Sequence, residues 1–197
     1  MKYPGRRAFI ALLFIFCLPQ LNPVEFIGSQ ANHEASGQDS FLESKKIVPF
    51  VPSPPSVVEK MLDLAGVKPG DLVYDLGSGD GRIVIGAAKR GAKAVGFEID
   101  GDLVGESRAN IAKAGLQASA EIRNQDILTV DFSSATVVTM YLLPDVNLKL
   151  KPNLLSQLKP GARIVSHSFD MGDWRPDRTE RVDGRTIYLW TIRPKGR

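Results

Sequence analysis

The run Val73-Tyr74-Asp75-Leu76-Gly77-Ser78-Gly79-Asp80-Gly81-Arg82 constrains this chain more than any other stretch of it. It predicts a buried strand over Leu72 to Leu76, a glycine-rich turn, and a helix over Ile83 to Arg90. Glycines at such a junction let the backbone bend sharply and let a ligand approach where a Cβ would stand in the way. Strand, glycine turn and helix in that order open an α/β sheet whose ligand sits at the strand's C-terminal end.

The spacing narrows the ligand. A dinucleotide fingerprint reads G-x-G-x-x-G and seats an anionic pyrophosphate on the helix N-terminus. Here the glycines fall as G-x-G-x-G, and Asp75 and Asp80 flank them. Two carboxylates repel a pyrophosphate and attract a cation. S-adenosyl-L-methionine carries both an ammonium and a sulfonium, so the turn favours a methyl donor over NAD. Two further acids extend the pattern. Lys93-Ala94-Val95-Gly96-Phe97-Glu98 is a second short apolar strand that ends in an acid, where a carboxylate can accept bonds from ribose hydroxyls. After a third strand, Ala120 to Arg123, Asp126 is placed to accept an adenine amino group and Ile127 to pack on the ring. One acid after each of three successive strands points to one nucleoside site.

The remaining signals place these pieces in one domain. The 197 residues suffice for a single full core. Val48-Pro49-Phe50-Val51-Pro52-Ser53-Pro54-Pro55 is held extended by its prolines. Ser56-Val57-Val58-Glu59 has capping-box spacing ahead of an apolar helical stripe that Gly66 ends. Asp102 is expected to cap a helix running to Ala114. A fourth strand over Ala135 to Met140 leads to Tyr141-Leu142-Leu143-Pro144, then to helical material interrupted at Pro152 and reaching Leu158. Ala162 to Ser166 makes a fifth strand. Asp183-Gly184 between two β-rich runs predicts a tight hairpin of the I′ kind. Alternating strands and helices closed by a hairpin give an α/β sandwich, mostly parallel, with an antiparallel C-terminal pair.

Composition excludes several functions. The net charge is +3, and Lys2, Arg6 and Arg7 against Glu25 account for most of it. No basic-aromatic interleaving appears, so no nucleic-acid partner is expected. The single cysteine, Cys17, lies outside the folded domain, which leaves that domain without a disulfide, a thiol nucleophile or a thiolate metal site. No metal is expected. Residues 1–31 carry those cations and the apolar run Ala8 to Leu18, the pattern of a signal sequence or a surface anchor and too short to span a bilayer with ease. Residues 32–46 are polar and aperiodic, a flexible linker, and the catalytic domain is expected from Ile47 to the C-terminus. The N-terminal pattern predicts membrane association. Supply of the methyl donor favours the cytosolic face, whereas the charge pattern permits export.

The chain resembles the class I S-adenosylmethionine-dependent methyltransferases, and within them a lysine methyltransferase family whose mitochondrial members act on the ATP synthase c subunit and the adenine nucleotide translocase. The resemblance rests on Pro49-Phe50-Val51-Pro52, Asp75 through Arg82, Val95-Gly96-Phe97-Glu98, Leu103-Val104 with Ser107-Arg108, Gly161 through Val165, and Trp174-Arg175-Pro176-Asp177. It implies a Rossmann-like sandwich that transfers a methyl group from S-adenosyl-L-methionine to a protein lysine, on a membrane-embedded partner in the mitochondrial cases. It also implies that Asp75, Gly77, Ser78 and Gly79 hold the methionine portion, Glu98 the ribose and Asp126 with Ile127 the adenine, beneath Phe50 and Pro52. The chain departs from those members at Tyr141 to Pro144, the loop expected to face the acceptor. Tyr141 is the candidate for orienting that acceptor. His167 is read as a strand-end structural residue rather than a base, and Trp174 as a candidate wall of the acceptor pocket. Rival readings are a NAD-dependent oxidoreductase, a methyltransferase of small molecules, and a nucleoside-binding module without turnover.

Overall fold

The computed structural model describes residues 50–194. The apolar segment 1–31, the linker and the first residues of the expected domain lie outside them. Helix α1 (Pro55–Leu64) precedes β1 (Leu72–Leu76), α2 (Arg82–Lys89), β2 (Lys93–Glu98), α3 (Gly101–Lys113) and β3 (Ala120–Asn124). A 3₁₀ turn (Ile127–Thr129) leads to β4 (Val137–Met140), α4 (Pro144–Gln157) and β5 (Arg163–His167), and β6 (Arg178–Val182) and β7 (Arg185–Thr191) close the chain. The strands form one sheet in the order β3-β2-β1-β4-β5-β7-β6. The first five are parallel, and β7 runs antiparallel between β5 and β6. The expected Rossmann-like sandwich is thus present, with its C-terminal hairpin. Asp183 and Gly184 both have positive φ, 49° and 74°, as a I′ turn requires.

Strand alternation sorts the core onto two faces. Val73, Val137 and Val165 face the layer of α1, α2 and α3, where Met61, Leu62, Ile83, Val84 and Ile111 cover them. Tyr74, Leu76, Phe97, Val138, Met140 and Ile164 face the other way, under Leu150 and Leu154 of α4, with Phe132 and Trp190. The strand order reverses between β1 and β4, so their C-terminal ends leave a crevice, the usual ligand position in an open α/β sheet.

Three local expectations are corrected. Helix α3 is capped by Asp100 rather than Asp102: the Asp100 carboxylate accepts the N–H groups of Asp102 and Leu103 at 3.1 and 3.4 Å. Gly101 starts the helix, which moves Asp102 into the first turn, where its charge still suits the dipole. At α1 the capping box does not form. Pro54 and Pro55 start the helix two residues early, and the Ser56 hydroxyl donates instead to Asp183 of the hairpin. Pro152 does not interrupt α4. It lies on the exposed side beside the half-exposed Leu148, so the carbonyl it leaves unbonded can meet water.

Candidate active site

The turn after β1 runs through Gly77, Gly79 and Gly81, all at positive φ (71°, 53° and 81°). Two of them are needed for space as well. A Cβ on Gly77 would meet Leu142 at 2.8 Å, and one on Gly79 would meet the Phe50 ring at 2.2 Å. The turn's amides are already engaged. Gly77 and Ser78 donate to the Phe97 carbonyl, Gly81 to the Ser78 carbonyl, and Gly79 to Glu98 Oε2 at 2.8 Å. Such a turn has few amides left for a phosphate. Its internal hydrogen bonding therefore disfavours a dinucleotide, as its glycine spacing does.

What the turn presents instead is carboxylate. Asp75 is buried at the end of β1, and its Oδ1 accepts the Thr139 hydroxyl from the neighbouring strand at 2.7 Å. Its Oδ2 is buried without a partner among the described residues, and so is Ser78 Oγ. Burial pushes the Asp75 carboxyl up to about 7 against the pull of the Thr139 bond, and the Glu98 and Asp80 carboxylates add repulsion. A buried acid with an unused oxygen and its charge suppressed is a site that waits for a cation. Glu98, at the end of β2, accepts through Oε1 from Ile99 and Asp100 N–H at 2.8 and 3.0 Å. Those bonds and the one from Gly79 aim its carboxylate over the turn.

Asp80 behaves differently from the sequence expectation. Its carboxylate is held by Arg82 in a forked pair (Nε to Oδ1 2.9 Å, Nη2 to Oδ2 2.5 Å) and receives the Arg82 N–H. Burial would raise this acid, but the guanidinium outweighs it and holds it below the usual carboxylate range. Asp80 is therefore spent on Arg82 at the start of α2, whose N-cap is Gly81. The cation-attracting charge falls to Asp75 and Glu98.

These groups line a cleft of about 880 Å³, open mouth included. Phe50, Pro52, Asp75, Gly77, Ser78, Glu98, Asp126, Ile127 and Tyr141 all line it, and Gly79 lies beneath the Phe50 ring. Asp126 caps the 3₁₀ turn by accepting the Leu128 N–H at 2.9 Å, which presents Ile127 beside it. At the opposite end the cleft is apolar and aromatic, with Val51, Tyr141, Leu142 and Val146. The Tyr141 ring lies on His167, with centroids 3.9 Å apart, and beyond that Phe169 stands parallel at 6.3 Å. His167 is fully buried, and burial depresses its imidazole to about 4, with Arg185 contributing. At neutral pH it is uncharged and shielded, as its structural reading anticipates.

Trp174 is the sequence candidate the structure moves elsewhere. Its ring packs against Trp190 at 5.8 Å, its carbonyl accepts Trp190 Nε1–H at 2.7 Å, and it borders a separate groove with Leu155, Arg175 and Arg193. Conversely, sequence reasoning missed Ser53, Arg82 and Thr139. Arg82 had a signal, since an arginine two residues after an aspartate at a helix start invites a forked pair. Thr139 had none, because its role depends on β1 and β4 being neighbours.

A profile of the ANTKMT methyltransferase domain matches residues 75–178, over half of the chain. The chain belongs to that family. A protein-lysine N-methyltransferase of Saccharolobus islandicus is 48% identical over 74% of this chain and 94% of its own length. The mouse lysine N-methyltransferase of the ATP synthase c subunit is 38% identical over 75% of this chain, which spans 60% of that longer relative. Among solved structures, an RNA methyltransferase of Salinibacter ruber in complex with S-adenosyl-L-homocysteine is 54% identical, with a TM-score of 0.72 over 75% of this chain and 97% of that one. This methyltransferase family member is an S-adenosyl-L-methionine-dependent enzyme. Its residues fit such a donor: the unpartnered Asp75 Oδ2 suits an ammonium or sulfonium, and the cleft joins that acid to a second carboxylate and an apolar platform.

Proposed function

We propose that this methyltransferase modifies a protein lysine, and that the amine enters through the aromatic mouth beside Tyr141. The observation that carries the reading is the character of that mouth. Its walls are Val51, Tyr141, Leu142 and Val146, and the one cation among the described lining residues, Arg82, is committed to Asp80. An RNA acceptor, which the description of the Salinibacter relative suggests, would need cations for its phosphates. The archaeal relative matched over nearly its whole length is named for lysine methylation.

In this reading Asp75, Gly77, Ser78 and Gly79 take the methionine portion, Glu98 the ribose, and Asp126 and Ile127 the adenine, while Phe50 and Pro52 cover them. When bound, the donor supplies an activated methyl carbon. The chain's own part is to hold the two reactants in line and to exclude water. A lysine ammonium must lose its proton first, and the apolar mouth favours the neutral amine. His167 does not serve as the base, because it is buried beneath Tyr141. Tyr141 orients the amine through its ring face or hydroxyl.

The apolar run Ala8 to Leu18 supports a further part of the proposal: the enzyme works at the cytosolic face of a membrane on a membrane-embedded acceptor, as the name of the mouse relative suggests for that protein. The test is transfer of labelled methyl into soluble and membrane fractions from a strain lacking the protein. Label in the membrane fraction that resists ribonuclease, yields to protease and hydrolyses to methyl-lysine is expected. Label released by ribonuclease would overturn the lysine assignment, and digestion of the enzyme by protease outside intact cells would overturn the cytosolic one.

A further inference from the structure

Among the described residues of the proline-rich strap, Ser53 is the one tied to both ends of the cleft. It is buried, unlike the exposed Phe50 and Val51 of the same segment. Its hydroxyl lies 2.8 Å from His167 Nδ1 at the end of β5, and its carbonyl accepts Arg82 Nη1 at 2.7 Å from the start of α2. Arg82 is itself fixed by Asp80 in the glycine turn. The Tyr141 ring lies on the face of the same imidazole. His167 is also held at a rigid point. Ser168 turns at positive φ (65°), and the carbonyl of Phe169 is clamped by Ser166 Oγ at 2.6 Å and by the buried Asn147 at 3.3 Å. A fully buried imidazole whose remaining nitrogen has no partner among the described residues is costly to keep, and packing alone would be served better by a phenylalanine.

We propose that Ser53 and His167 are positioning residues for methyl transfer: their hydrogen bond latches the strap across the cleft, and the His167 ring sets Tyr141 at the acceptor end. Closure over the donor and alignment of the acceptor then share one side chain. The second half rests on Tyr141 facing the acceptor. The first does not, because it concerns the donor alone.

The variants separate the two halves. Ser53→Ala and His167→Phe each remove the latch bond, while phenylalanine keeps a ring beneath Tyr141. His167→Asn keeps a polar atom near the Nδ1 position and removes the ring. Titration with S-adenosyl-L-homocysteine needs no acceptor, so it reads the latch whether or not the acceptor is a lysine. Loss of one buried hydrogen bond should weaken that binding roughly three- to tenfold in Ser53→Ala and in His167→Phe. The double variant should match the weaker single within about twofold, and Ser53→Thr should recover the parental affinity. His167→Asn should bind the product within about twofold of the parent yet turn over at least several-fold more slowly. Parental affinity in Ser53→Ala, or additive losses in the double variant, would overturn the latch. Parental turnover in His167→Asn would overturn the platform. If a His167 variant fails to fold, as judged by near-ultraviolet circular dichroism, the Ser53→Ala and Ser53→Thr pair still decides the latch.

Discussion

The two ends of the cleft are built by different means. The end proposed for the donor is polar and is assembled from strand termini that follow one another in the chain: Asp75 at the end of β1, Glu98 at the end of β2, Asp126 after β3. Glu98 and Asp126 are aimed by nearby backbone amides, while Asp75 is held by the Thr139 hydroxyl of the neighbouring strand. The end proposed for the acceptor is apolar and stacked, with Tyr141 after β4, His167 closing β5 and Phe169 just beyond. There the backbone after β5 is pinned where the Phe169 carbonyl accepts Ser166 Oγ, while Tyr141 itself is set by ring contacts. One end binds charge with fixed dipoles, while the other shapes a dry path with ring faces. That division suits a reaction in which the cation is always the same and the nucleophile is what distinguishes one family member from another.

The sharpest test of this contrast is Asp75. Its pKa of about 7 lies above that of a carboxyl in the unfolded chain, so ionisation disfavours the ligand-free fold. The penalty is absent below the unfolded value near 4, grows as pH rises toward 7, and is constant above it. Asp75→Asn should therefore stabilise the ligand-free protein at pH 8 by on the order of a few kcal/mol, an advantage that shrinks toward pH 4. The same variant, like Asp75→Ala, should lose at least about tenfold in donor affinity, because a charged partner is gone. Thermal melts across pH and donor titrations check both. In the parent, donor affinity should rise with pH through about 7 as the acid ionises. A flat profile would separate Asp75 from the donor's cation.

Glu98→Ala should cost both affinity and stability, since three backbone N–H groups lose their acceptor. We expect a loss of roughly 1.5–3 kcal/mol in binding, accompanied by a lower melting temperature. A binding loss with an unchanged melt would mean that the turn holds its shape without Glu98.

At the acceptor end the expectation is opposite in kind. Tyr141→Phe should slow turnover several-fold and leave donor binding nearly as it was, with Tyr141→Ala slower still. Steady-state rates set beside product titration decide this. Equal loss of both would move Tyr141 to the donor side, and no loss from either variant would reduce it to packing. The smallest effect belongs to neither end. Arg123 pairs with Glu121 in the open, with both side chains about half exposed, so Arg123→Ala should change stability by no more than about 0.5 kcal/mol. A larger change by denaturant unfolding would show that charge outside the cleft matters more than this contrast allows.

The donor end was legible in the sequence because its determinants are local. A five-residue strand, a G-x-G-x-G turn and an acid at the end of the next strand are read along the chain, and β1 spans Leu72–Leu76 as its apolar run predicts. Asp183-Gly184 declares its hairpin by the same logic, since few residue pairs tolerate two positive φ values. Where several local partners compete, sequence reasoning erred by a residue or two, as at the Asp100 cap and the start of α1. Trp174 was misplaced for a different reason: a tryptophan carries no sign of which neighbour its ring will meet, and here that neighbour was Trp190.

By itself, then, the chain's order of residues determined the sandwich, the glycine turn and the chemistry of the ligand that turn accepts, because backbone geometry and charge act over a few residues. Only the tertiary structure decided that Thr139 meets Asp75 and that Ser53 reaches His167 across 114 residues of chain. Those contacts exist because β4 lies beside β1 and β5 beside β4 in the sheet, and adjacency between distant strands is a property of the packed core that no local pattern encodes.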